Sequence, residues 1–169
     1  MKLNATFCLL GIIPLLASCA SHPVTLAPVG PNPTAGRTSA IGTGSLQVFS
    51  SLAEESDDQN QGSTDPAWYQ HTDYRVYDTR GRLAAYVDNA TGHYSKSPRL
   101  VSLPPGNYTV RAQASEGRLV YIPVRIVRDR TTKVHLDENW RLPPGTPKTE
   151  IVTAPGGYPV GWRADLHTQ

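Results

Sequence analysis

Val120, Ile122, Val124 and Ile126 recur at every second position, with Arg125 turned the other way, and this run constrains the fold most. Successive side chains of an extended strand point to opposite faces, so the spacing buries one face and wets the other. The same period recurs at Leu46 and Val48 around Gln47, and at Tyr74, Val76 and Asp78 around Arg75 and Tyr77. It returns at Val134 and Leu136 among Lys133, His135 and Asp137. Turn formers separate the runs: Asp78-Thr79-Arg80-Gly81, Asn89-Ala90-Thr91-Gly92 and Asp129-Arg130-Thr131. Gly81 can take the positive φ that closes a hairpin. The 169 residues include 14 Gly and 15 Pro, more than the roughly 12% of average usage, which favours turns over long helices. The pattern predicts an all-β domain over residues 44–140, a Greek-key β-sandwich of about seven strands. The one helical turn expected after the leader lies near Ser51–Glu55.

The N-terminus reads as an export leader. Lys2 supplies a positive start, and Phe7–Leu16 forms an apolar stretch interrupted by Gly11 and Pro14. That stretch is shorter than the roughly 20 residues a spanning helix needs, and has the length of a signal-peptide core. Leu16-Ala17-Ser18-Cys19 follows and resembles the lipobox of bacterial lipoproteins. The resemblance implies residues 1–18 as signal peptide, and diacylglyceryl (with palmitate-type acyl chains) on Cys19. Two or more acyl chains give stable membrane anchoring where one does not. It further implies a cell-envelope location, the outer membrane where there is one, because Ala20 rather than Asp follows the cysteine. An ordinary secretory signal cleaved after Ala20 is the alternative. Cys8 lies in the leader, so the mature domain has no cysteine pair for an internal disulfide.

Residues 19–43, with Pro23, Pro28, Pro31 and Pro33 among small polar residues, read as a lipidated cysteine followed by a flexible tether. Residues 141–169, with Pro143, Pro144, Pro147, Pro155 and Pro159, read as an irregular tail. Its end, Gly156 to Trp162, mixes turn formers with large rings, and such a segment can fold back over the domain.

Leu103-Pro104-Pro105-Gly106-Asn107-Tyr108-Thr109-Val110 turns an extended approach into a new strand, with Tyr108, Val110 and Ala112 on one side. It resembles the L-x-P-G-x-Y-x-V stretch of bacterial carboxypeptidase-regulatory-like and prealbumin-like β-sandwich modules. The later segment Tyr121–Leu136 resembles their closing hairpin. The resemblance covers about residues 44–138, with the acidic segment 54–65 as an insertion, and implies a fold rather than an activity.

Residues that carry chemistry are sparse. His22, His71, His93, His135 and His167 are not at metal-ligand spacing. His71 with Asp73, and His135 with Asp137, read as exposed strand pairs. Glu54 to Asp65 offers oxygen ligands but not the order of a calcium loop, and reads as a solvated acidic loop. No nucleophile elbow, P-loop or dinucleotide motif is present. No cofactor or metal is expected. The net charge of +2 is too small for a nucleic-acid partner. Arg75, Arg80, Arg82, Arg99, Arg111, Arg125, Arg128 and Arg130 read as a solvated face, with anionic envelope polymers or lipid head groups as the other reading. Trp68 and Tyr69, in a polar setting near other tyrosines, are the candidate ligand-binding residues, since exposed rings stack on sugars; Trp68 capping the core is the competing reading. The expectation is a non-enzymatic, lipid-anchored structural or protein-interaction module of the envelope, with a carbohydrate- or peptidoglycan-binding module as the alternative.

Overall fold

The computed structural model describes residues 23–37, 42–55, 68–89 and 97–164, with backbone alone at Glu54, Glu55, Trp68 and Tyr69. The leader, Cys19, the acidic stretch 56–67, the turn after Asn89, and His22, His93 and His167 lie outside the described residues.

Thirteen strands are present among the described residues, more than the seven or so that the alternation predicts. They are β1 (Val24–Thr25), β2 (Val29–Gly30), β3 (Gly44–Phe49), β4 (Leu52–Glu55), β5 (Trp68–His71), β6 (Tyr74–Asp78) and β7 (Leu83–Val87). They continue with β8 (Leu100–Leu103), β9 (Gly106–Gln113), β10 (Leu119–Ile126), β11 (Thr131–His135), β12 (Ile151–Thr153) and β13 (Pro159–Arg163). The large sheet runs β12-β13-β2-β10-β9-β6-β7, with β1 also on β10, and the smaller sheet runs β11-β3-β8. β4 and β5 form a separate hairpin, so Leu52–Glu55 is strand, in place of the helical turn expected near Ser51–Glu55.

The two main sheets pack as a sandwich on a single core that includes Leu46, Val48, Val76, Val110, Ile122, Val124, Val134 and Val160. The period-two run of β10 is buried at every expected position, from Val120 to Ile126. Burying a Val or Ile side chain fully contributes about 1.5–3 kcal/mol relative to exposure, so this strand alone anchors the centre.

The Pro104-Pro105 corner carries the chain from β8 in one sheet to β9 in the other. Proline lacks an N–H and is tolerated where no ladder bond is needed. The Tyr108 hydroxyl donates to the Pro104 carbonyl (3.0 Å) and pins the corner. At the β6–β7 reversal Gly81 takes φ +75°, and Asp78 accepts from the Arg80 and Arg82 N–H groups at 2.9 Å each.

Three sequence expectations are corrected. The tether folds: Val24 and Thr25 pair parallel with Val120 and Tyr121, and Val29 pairs with Val124. The register slips by one residue between these pieces, opposite the stretch holding Pro123, which has no N–H to give. The tail is also built in: β12 pairs with β13, and β13 pairs antiparallel with β2. Finally, Tyr121–Leu136 is not a hairpin. β10 and β11 lie in different sheets, and β11 pairs parallel with β3 from Thr131↔Ser45 to His135↔Phe49. Asp129, at φ +57°, makes the crossing.

One end of the sandwich is fastened by buried polar groups. The Asn89 amide nitrogen donates to the Val48 carbonyl (2.9 Å), the Ser50 hydroxyl (3.1 Å) and, more weakly, the Thr72 carbonyl (3.4 Å). Its oxygen accepts from the Arg99 N–H (3.0 Å). Ser50 in turn donates to Thr72.

Candidate functional site: an aromatic groove beside the small sheet

Alternation puts Phe49 and His135 on the outer face of the small sheet, and parallel pairing sets them side by side. Their rings stack at 4.3 Å with 16° between planes. After β11 the chain turns back and lays Trp140 on the other face of the imidazole, at 4.8 Å and 14°. Trp162, from β13 of the large sheet, meets Trp140 at 6.3 Å and 63°. At the far end His71 packs edge-on against Phe49 at 5.7 Å.

The two indoles open onto a groove of about 380 Å³, lined also by Asn32, Thr131, Lys133, His135 and Pro143. A second depression of about 590 Å³, lined by Pro31, Pro33, Glu150 and Arg163, meets it at Trp162. Arg130 holds the Asn32–Ala35 wall by donating to three carbonyls, at 2.9 Å to Asn32, 2.9 Å to Pro33 and 3.2 Å to Ala35.

Burial pulls the His135 imidazole from 6.5 down to about 4, outweighing the Asp137 carboxylate, which favours the charged ring; Lys133 and His71 reinforce the drop. The faces of Phe49 and Trp140 attract an imidazolium by about 0.5–2 kcal/mol, and burial prevails. A ring that is neutral at pH 7 and covered on both faces orders the groove and is a poor proton acceptor there. His71 is buried and its Nδ1 donates to the Ser50 carbonyl at 2.7 Å. The sequence places both histidines on exposed strand faces; packing on Phe49 covers them instead. Among the described residues no three His, Cys, Asp or Glu side chains are grouped to hold a metal ion.

Of the residues singled out in the sequence, Cys19 lies outside the described residues. Trp68 and Tyr69 are placed by backbone only, in β5, opposite Glu55 and Glu54 in the β4–β5 hairpin. Trp140 escapes sequence reasoning because it closes the predicted β domain without any strand pattern around it, and Trp162 is read there only as the end of a segment that can fold back over the domain. The signal present was the cluster of rings among turn formers at the C-terminal end. No helix among the described residues is long and apolar enough to cross a membrane. Compared with known proteins, the chain matches no family model, no curated protein and no solved structure.

Proposed function

We propose that this chain is a non-catalytic binding module of the bacterial cell envelope, anchored by lipid on Cys19, with its partner seated along Trp140 and Trp162. The observation that carries the reading is the pair of angled indoles at the lip of a groove, backed by a stacked, neutral histidine. Indole rings bring large contact area at low entropic cost and dominate many interfaces. The Leu16-Ala17-Ser18-Cys19 motif supports the anchor, and Ala20 supports the outer membrane. The likeness of Leu103–Val110 to β-sandwich modules implies a fold rather than an activity, which is compatible with a scaffold role. The second reading, a glycan ligand, is favoured by Asn32, Thr131 and Lys133 beside the rings, because polar groups flanking a flat ring suit sugar hydroxyls.

Mild crosslinking in the envelope should capture a defined protein with the wild type and lose it with Trp140→Ala and Trp162→Ala. Saturable binding on a glycan array, lost in the same variants, would instead establish the second reading. Capture or binding that survives both substitutions would reject the groove. Radiolabelled palmitate should enter the wild type and not Cys19→Ala; label in both would count against the anchor.

A further inference from the structure

On the opposite side of the sandwich, pairing across four strands of the large sheet sets Tyr86, Arg75, Arg111 and Tyr121 in one row. Their chain neighbours Val76, Val110 and Ile122 are buried in the core, so the row faces outward. Arg75 and Arg111 are directly opposite each other. Like charges in that position are about 4.5–5.5 Å apart at Cβ and destabilise the pair. Neither guanidinium reaches a carboxylate in an ion pair among the described residues. Arg75 rests over the Tyr86 ring at 5.8 Å. The Arg111 Nε is sealed from solvent and finds no hydrogen-bond acceptor. An unpaired buried donor costs roughly 1–3 kcal/mol, and more when charged.

Arg75, Tyr86 and Arg111 line a depression of about 240 Å³ together with Asp73 and Gln113. Asp73 is already engaged: one oxygen accepts from the Asn89 N–H (3.1 Å) and the other from the Tyr86 hydroxyl. The two guanidiniums and this carboxylate leave one net positive charge. We infer that the depression between Arg75 and Arg111 is a binding site for a single monoanionic oxyanion, a phosphodiester or carboxylate group. Guanidinium forks match such groups in geometry, and an anion held between Arg75 and Arg111 would offset the repulsion of the two directly opposed charges. The site lies on the sheet face away from the aromatic groove and does not depend on it.

Nuclear magnetic resonance on the full chain in neutral detergent, following the arginine Nε–H signals, tests this. The probes are dimethyl phosphate, acetate and glycerophosphoglycerol, the soluble headgroup of phosphatidylglycerol. At least one should give a saturable shift of the Arg111 signal. The affinity should fall at least tenfold in Arg75→Gln and in Arg111→Gln, and stay unchanged in Arg128→Gln. Tightest binding of glycerophosphoglycerol assigns a lipid headgroup, of dimethyl phosphate a free phosphodiester, and of acetate a carboxylate. No saturable shift with any probe, or binding that persists in Arg75→Gln, overturns the inference. Arg75 is exposed, so that variant remains informative even where Arg111→Gln fails to fold.

Discussion

Removing the Asn89 side chain would leave the Val48 carbonyl and the Arg99 N–H without their partners. Asn89→Ala should therefore lower stability by about 2–3 kcal/mol, read as a lower urea midpoint with unchanged slope. Nothing in the sequence marks this role: Asn89 opens a stretch that reads as a surface turn, and its partners come from β3 and from residues 50 and 72. His135 is misread for the same reason, since the rings that cover it arrive from β3 and from the segment after β11. Its pKa has a consequence for pH. The folded ring, at about 4, binds its proton less readily than the unfolded ring at 6.5, so the unfolded state holds more protons between those values and stability rises with pH there. The stabilisation is complete above about 6.5 and is lost as pH falls through 4. Urea midpoints from pH 7 to pH 4 should fall more steeply in wild type than in His135→Phe. Parallel slopes would show that another group drives the change.

Among the elements, the strands that carry strong alternation are where the sequence puts them, and β10 is the clearest case. The two chain ends are misread because prolines argue against a central strand, whereas Pro28 and Pro31 only flank β2 and Pro159 is the first residue of β13, positions that tolerate proline. Pairing of β2 with β10 and β13 also joins residues far apart in sequence, which no local pattern can reveal. Gly161 explains how β13 fits: a Cβ there would meet Val29 Cγ1 at 2.5 Å and the Lys133 carbonyl oxygen at 2.9 Å. Gly161→Val should cost about 1–3 kcal/mol through overpacking. Hydrogen exchange should show lost protection over residues 151–163 while β9 and β10 stay protected. Uniform loss across all strands would mean that the C-terminal strands are integral to global stability.

For the molecule as a whole, fold class is readable because period two is local and each strand declares which face is buried. The division into sheets is not, because parallel pairing of β11 with β3 and the crossing at Asp129 depend on partners distant in the chain. The aromatic groove inherits that difficulty: its rings come from β3, from the segment after β11 and from β13. The folded N-terminal strand also bears on the proposed anchor. Val24 is already hydrogen-bonded into the large sheet beside Val120, and the five residues from Cys19 to Val24 span at most about 18 Å fully extended. With the proposed lipid on Cys19, the body would sit like a limpet on the bilayer, and a partner would have to come down to the head-group layer to be held.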